Sequence, residues 1–155
     1  MTNPMGHYAP MGQMESSTSR IDEVRERFAR PGFHNWIGMR LERVETGEVH
    51  VALDVEPRHL NLVGLMHGGL IATLADTATG LAYRTVLEPG TRHVTTHMGV
   101  TFLSPGREGR ITARGKVVKA GGRFGYAEAD VVGPDDELLA RATATFAVSP
   151  ERTGQ

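Results

Sequence analysis

The chain has 155 residues, 17 basic against 18 acidic side chains, and no cysteine. This length fits one domain, or one domain with a tail. The near-neutral charge lacks the positive excess expected of a nucleic-acid-binding protein, and the absence of cysteine excludes disulfides, thiolate zinc sites and a cysteine nucleophile. Any catalysis must therefore use carboxylates, histidines, hydroxyls and backbone groups, and we expect a cytoplasmic protein.

The first predicted segment is a tail. Residues 1–19 are rich in Met, Gly, Pro, Ser and Thr and have almost no apolar periodicity, so we expect them to be flexible. They lack the basic start and continuous apolar run of a signal peptide, and no later apolar stretch is long enough to span a bilayer. We therefore expect no membrane partner.

A single domain is predicted over 20–150, followed by a flexible C-terminus over 151–155. Its first helix begins at Ser19 and ends at Pro31-Gly32. The apolar stripe of this helix comprises Ile21, Val24 and Phe28.

Two strands, one long helix and four further strands follow. The predicted ranges are Gly38–Glu45, Glu48–Glu56, the helix Leu70–Leu87, and then His93–Leu103, Arg110–Lys119, Arg123–Val132 and Glu137–Val148. Short Gly- and Pro-rich turns join the last strands, which makes them antiparallel neighbours. This order predicts an α+β domain in which the long helix lies across an antiparallel sheet.

The segment that enters the long helix holds the densest cluster of unusual residues. It reads Asn61-Leu62-Val63-Gly64-Leu65-Met66-His67-Gly68-Gly69. Two glycines at a helix start leave backbone N–H groups open to an oxyanion or a polarised carbonyl. Asp76 follows inside the helix, where a carboxylate has poor helix propensity. Together these features predict acyl transfer or hydrolysis.

The spacing of Gly68 and Asp76 predicts a site shared between two chains. Eight residues along one helix separate them by about 12 Å, so a single carbonyl cannot contact both. If both serve one reaction, Gly68 of one chain must meet Asp76 of another across a two-fold axis. We then expect two equivalent sites in each homodimer.

These residues also resemble a known family. The pattern resembles that of hotdog-fold acyl-CoA thioesterases of the phenylacetic-acid-degradation (PaaI-like) group over roughly Phe33 to Val148. The matching segments are Asn61…Gly64…His67-Gly68-Gly69, Leu74-Ala75-Asp76-Thr77-Ala78, Phe102-Leu103-Ser104-Pro105 and Gly121-Gly122-Arg123. The resemblance implies an antiparallel sheet wrapped around the central helix, with a short N-terminal helix, and a dimer whose two sheets join. It also implies a homotetramer built as a dimer of dimers.

The resemblance assigns roles to five residues. Asp76 resembles the catalytic carboxylate, which acts as a general base toward water or as a nucleophile. The Gly68 N–H resembles the group that polarises the thioester carbonyl, assisted by Asn61. His67 resembles the histidine that holds the loop and approaches the thiol, and Thr95 matches a hydroxyl that steadies the attacking water.

The same resemblance places CoA at the protein surface. It implies contacts to the CoA phosphates and nucleotide from Gly122, Arg123 and Ser104. No cofactor is implied beyond the CoA of the acyl-CoA substrate itself. Some related enzymes carry Glu in place of Asp76 and a hydroxyl residue one helical turn later, where this chain has Gly80. That departure favours the arrangement of Asp76 with Thr95.

Structural roles compete with the catalytic ones. Asp76 can form an interhelical hydrogen bond, His67 can hold the loop, Asn61 can fix a turn, and Arg123 can be a solvated strand-end charge. His93 and His97 are four residues apart, which on a strand separates them by about 13 Å, too far to share one metal ion. We therefore expect no metal site.

Three functions remain open at this stage. The leading one is hydrolysis of an aryl- or medium-chain acyl-CoA to the free acid and CoA. A non-catalytic hotdog module that binds acyl-CoA would keep the glycines and Arg123 without needing an ionised Asp76. An enoyl-CoA hydratase would call for a paired Asp and His on a differently spaced motif, which the sequence lacks.

Overall fold

The computed structural model describes residues 11–151. Its helices are α1 Met11–Ala29, α2 Phe33–Trp36 and α3 Gly68–Arg84, with a 3₁₀ turn at Pro57–His59. Its strands are β1 Arg40–Glu45, β2 Glu48–Asp54, β3 Thr91–Phe102, β4 Arg110–Ala120, β5 Phe124–Val132 and β6 Leu138–Pro150.

The strands form one antiparallel sheet in the order β1-β2-β4-β5-β6-β3. The long helix α3 packs against β2, β4 and β5 in the middle of the sheet and against β3 at its edge. The structure thereby confirms the predicted α+β hotdog architecture, in which an antiparallel sheet surrounds a central helix.

Two glycines let α3 lie very close to the sheet. A Cβ on Gly115 of β4 would lie 2.4 Å from the Ala78 carbonyl, and a Cβ on Gly125 of β5 would lie 2.0 Å from the Tyr83 ring. Real Cβ atoms do not approach other atoms so closely, and at Gly115 the neighbour is helix backbone that cannot swing aside. These contacts fix the middle of α3, and with it the backbone of Asp76, against the sheet.

Side chains of β2 alternate between buried and partly buried positions except at Ala52, which is also buried. Val49, Val51 and Leu53 are buried in the core that faces α3, whereas His50 and Asp54 are only partly buried. A half-buried strand alternates in this way because successive side chains point to opposite faces of a sheet. Val24, in the predicted stripe of the first helix, is also buried in this core.

Helix boundaries differ from the sequence prediction. The first helix begins at Met11 rather than at Ser19, so Ser19 is not its N-cap and the helix extends into the predicted tail. Its first turns hold only Met11 and Met14 among small and polar residues, which is too weak an apolar pattern to predict a helix from the sequence. Residues 1–10 and 152–155 of the predicted flexible ends lie outside the described residues. Among residues 11–151, no helix is long and apolar enough to cross a membrane.

A cluster of charges ties α1 to the end of α3. Glu23 of α1 accepts hydrogen bonds from Arg20, Arg27 and the buried Arg84. Burial alone would raise the pKa of Glu23, but the hydrogen bonds and charges of Arg84 and Arg20 outweigh it and lower this pKa to about 2. The ionised carboxylate therefore stabilises the docked helix.

Acid should remove this stabilisation. A carboxyl whose pKa falls from 4.5 to about 2 on folding adds stability above pH 4.5 that is lost as the pH drops toward 2. We expect Glu23→Gln to lower the free energy of unfolding by about 2 kcal/mol at pH 7, and the difference from wild type to vanish near pH 2. Urea unfolding across this range measures it. Glu26→Gln, at an exposed position of the same helix, is the control. An equal fall in its free energy of unfolding would contradict a specific role for Glu23.

Candidate active site

Asp76 and Thr95 meet on the surface between α3 and β3. The Thr95 hydroxyl Oγ1 donates to Asp76 Oδ1 at 2.9 Å, and both residues are exposed. One carboxylate oxygen is therefore held by a protein hydroxyl while Oδ2 stays available to a water molecule or a substrate. The structure brings together these two predicted residues, which are 19 positions apart in the chain.

A bulge on β3 accompanies this contact. The pairing of β3 with β6 shifts register between Thr95 and His97, and Thr96 instead donates through Oγ1 to the Thr145 carbonyl. Bulges of this kind re-aim neighbouring side chains and are common beside active sites. Sequence analysis does not detect this bulge, because one extra residue in a long strand leaves no clear break in the pattern.

His67 caps α3 at the glycine pair. Its Nδ1 accepts the Gly69 N–H at 2.9 Å, which fixes the ring at the helix start and leaves Nε2 to carry the proton of the neutral form. Within residues 11–151, the Gly68 N–H donates to no acceptor. One open donor therefore remains at the positive end of the helix.

Asn61 holds the loop that precedes this helix. Its Oδ1 accepts the N–H groups of Val63 and Leu65, at 3.0 and 3.1 Å. These bonds orient the side chain so that Nδ2 becomes the free end of the amide, and Nδ2 meets no acceptor in the part of the chain described. Asn61 and His67 also line a common cavity of about 500 Å³. The loop thus presents an amide donor beside a cavity that His67, the residue before Gly68, also lines.

A second cavity opens beside Asp76. Its volume is about 360 Å³, within the size range of small-molecule sites. Thr77, Gly80 and Leu81 of α3 and Thr95 of β3 line it together with Asp76. Gly80, one helical turn beyond Asp76, faces the His93 ring, and a Cβ there would lie 3.7 Å from His93 Nε2.

His93 forms part of the wall of the same cavity. Its ring packs edge-on against Tyr83 and Phe146, at centroid distances of 5.4 and 5.2 Å. Burial lowers the pKa of His93, and the charge of the nearby Arg84 lowers it further. We therefore expect a neutral imidazole at neutral pH. In the sequence His93 stands out only through its spacing from His97, as a candidate metal ligand, and its place beside Asp76 leaves no signal there.

The three predicted CoA contacts do not meet within one chain. Gly122 lies beside Tyr83 near the C-terminal end of α3, and Arg123 follows it in the exposed turn between β4 and β5. Ser104 lies just beyond Phe102, whose ring lies against Gly68 at the opposite end of the helix. The helix is about 25 Å long, so these two groups are far apart in one protomer.

Within residues 11–151, no three His, Asp or Glu side chains lie close enough together to hold an ion.

Comparisons with known proteins identify the family and the fold of this chain. The thioesterase superfamily model matches residues 63–140. The medium/long-chain acyl-CoA thioesterase YigI of Salmonella typhimurium is 30% identical, over 75% of this chain and 84% of that protein. A thioesterase family protein from Silicibacter pomeroyi has a TM-score of 0.80 and 28% identity, covering 84% of this chain and 98% of its own.

The fold of PaaI, from the phenylacetic acid degradation operon of E. coli, is also similar. It superposes with a TM-score of 0.78 at 23% identity and covers 89% of this chain and 96% of its own. The chain belongs to the thioesterase superfamily. The predicted resemblance to PaaI-like hotdog proteins and the prediction of a thioester hydrolase are thereby confirmed.

Proposed function

We propose that this protein hydrolyses acyl-CoA thioesters to a free carboxylic acid and CoA. The observation that carries the proposal is the hydrogen bond from Thr95 to Asp76 at the mouth of a cavity in a thioesterase-superfamily fold. The named activity of YigI supports CoA as the thiol, and the cavity of about 360 Å³ supports an aryl or medium-chain acyl group.

Asp76 acts either as a general base that takes a proton from the water attacking the carbonyl carbon, or as the nucleophile that attacks this carbon itself. In either route a tetrahedral oxyanion forms, the C–S bond breaks, and the CoA sulfur takes up a proton. In the nucleophilic route a water molecule then hydrolyses the mixed anhydride on Asp76 and releases the free acid. Thr95 keeps the carboxylate oriented through its hydrogen bond to Oδ1. The free Oδ2 then faces the reacting water or the carbonyl carbon.

The oxyanion is stabilised by the Gly68 N–H and by Asn61 Nδ2. Each is a preorganised donor without a partner in the described part of the chain, and the loss of one such donor costs on the order of 3 kcal/mol in a transition state. His67 keeps the glycine pair in place by accepting the Gly69 N–H.

The complete site contains two chains. Gly68 and Asp76 are both on α3 and are about 12 Å apart along it, so the donor of one protomer acts with the carboxylate of its partner. In the same homodimer, Gly122 and Arg123 of one chain would approach the Ser104 end of the other and hold the CoA phosphates. Two such dimers would form the tetramer.

Release of free thiol from a panel of aryl- and aliphatic-CoA esters tests this function. We expect turnover on at least one ester class with kcat in the range usual for enzymes, about 1 to 10³ per second. Stoichiometric binding of acyl-CoA without thiol release over hours would contradict it and favour the non-catalytic binding module.

Thr95 should contribute through its hydroxyl alone. We expect Thr95→Ala to lower kcat about 10- to 100-fold, because a hydrogen bond to a carboxylate contributes about 1.5–3 kcal/mol. Thr95→Ser retains the hydroxyl and should keep most of the activity. Equal losses in both variants would show that the side-chain methyl group, rather than the hydroxyl, is what matters.

A further inference from the structure

The cavity beside Asp76 continues along α3 to a cluster of charged side chains. Asp76 and Thr95 lie at one end, and Arg27 of α1, Arg84 of α3 and Glu151 after β6 line the other. Asp76 and Arg84 are eight residues apart on one helix, a rise of about 12 Å. An acyl chain that starts at Asp76 can therefore direct its far end toward the arginines.

Glu151 occupies the arginine end only loosely. Its carboxylate lies 3.3 Å from Arg84 Nη2 and 3.8 Å from Arg27 Nη2, and its side chain is 44% exposed. Glu23 contacts both arginines more closely and holds Arg27 Nε at 2.8 Å. Loose, half-exposed ion pairs contribute little stability. Glu151 is therefore the carboxylate that an incoming anion can replace.

The same end of the cavity has hydrogen-bonding capacity that the described residues do not use. Arg84 Nε is buried without a hydrogen-bond partner among residues 11–151. Arg92 also lines the cavity and donates to the Ser149 hydroxyl at 3.3 Å, with no ion pair in the described part of the chain. Buried polar atoms without partners are rare in folded proteins. This end is thus suited to a further polar group.

We propose that the arginine end binds a carboxylate at the far end of the acyl group. The preferred substrates are then CoA esters of dicarboxylic acids, Arg27 is a specificity-determining residue, and Glu151 is the group that the substrate carboxylate displaces. Arg84 is buried and occupied by Glu23 and the Thr91 carbonyl, whereas Arg27 is half-exposed and its side chain, among residues 11–151, donates a hydrogen bond only through Nε to Glu23. The inference rests on the proposed function. Arg27 and Glu151 lie outside residues 63–140, the segment that the family model matches, so the match itself gives them no role.

Two matched substrates and three variants test this inference. Adipyl-CoA and hexanoyl-CoA have acyl chains of equal length and differ only in the terminal carboxylate. The measured quantity is the ratio of kcat/KM for adipyl-CoA to kcat/KM for hexanoyl-CoA, in wild type, Arg27→Gln, Glu151→Gln and the control Arg25→Gln. Arg25 is exposed on the same helix and does not line the cavity.

The two charge removals should act in opposite directions. We expect Arg27→Gln to lower the ratio about 10-fold, since it removes a charge-assisted hydrogen bond to the substrate carboxylate. Glu151→Gln should raise the ratio several-fold because the competing carboxylate is gone, and Arg25→Gln should leave it within about 2-fold.

Three results would overturn the inference. An unchanged ratio in Glu151→Gln would do so even if Arg27→Gln failed to fold. A fall in Arg25→Gln equal to that in Arg27→Gln would replace a specific contact with a general charge effect. If the wild type hydrolyses CoA esters but the ratio of adipyl-CoA to hexanoyl-CoA kcat/KM is the same in Arg27→Gln as in wild type, only this inference is contradicted. A wild type that hydrolyses no CoA ester would contradict the proposed function as well.

Discussion

Asp76→Asn should lower kcat for CoA-ester hydrolysis by about 10³-fold. The amide retains the shape of the carboxylate and an oxygen that accepts from Thr95, so the substitution removes only charge, basicity and nucleophilicity. General-base catalysis typically raises a rate by about 10²- to 10⁴-fold. If Asp76 is instead the nucleophile, the same substitution removes the attacking carboxylate. Thiol release at saturating substrate measures the effect.

The control for this variant is Asp22→Asn. Asp22 is an exposed carboxylate on α1 that does not line the Asp76 cavity. The Asp22→Asn enzyme should therefore keep the wild-type kcat. Both variants should unfold at temperatures close to that of wild type. If Asp76→Asn kept more than about a tenth of wild-type kcat, the carboxylate would not be the reacting group.

Gly68→Pro should lower kcat by about 10²- to 10³-fold. Proline has no N–H, and so the substitution removes the proposed oxyanion donor, a loss of about 3 kcal/mol in the transition state. The first position of a helix tolerates proline, and Gly68 is the first residue of α3, so the helix should still form.

Gly68→Ala separates the lost donor from added bulk. Its Cβ would lie 3.3 Å from the ring of Phe102, which is 54% exposed and free to shift by a few tenths of an ångström. Alanine keeps the N–H and should retain at least about a third of wild-type kcat. If kcat fell equally in Gly68→Pro and Gly68→Ala, the cause would be crowding against Phe102. That result would contradict a role for the Gly68 N–H as a donor.

Much of the fold follows from local patterns in the sequence. Val49, Val51 and Leu53 recur at every second position of the sequence and form the core-facing side of β2, and the glycine pair Gly68-Gly69 identified the start of α3 to within two residues. Such features can be predicted because each depends on neighbours in the chain. The start of α1 at Met11 was not predicted, since Met11 and Met14 are the only apolar side chains in its first turns.

The candidate site was predicted only in part, for a physical reason. The loop from Asn61 to Gly68 is continuous in sequence, so its donors could be identified together. The partner of Asp76 was matched through family resemblance, and its hydrogen bond to Thr95 depends on how β3 passes α3. Arg27 and Glu151 lie near opposite ends of the chain, and only tertiary packing brings them to one cavity.

Mixing two inactive variants tests most directly whether one site contains two chains. Asp76→Asn and Gly68→Pro homodimers should each be nearly inactive, but a mixed dimer has one site with both Gly68 and Asp76 intact. Random exchange makes half of the dimers mixed, so thiol release should return to about a quarter of the wild-type rate. Activity that stays at the level of the separate variants after complete exchange would contradict the shared site.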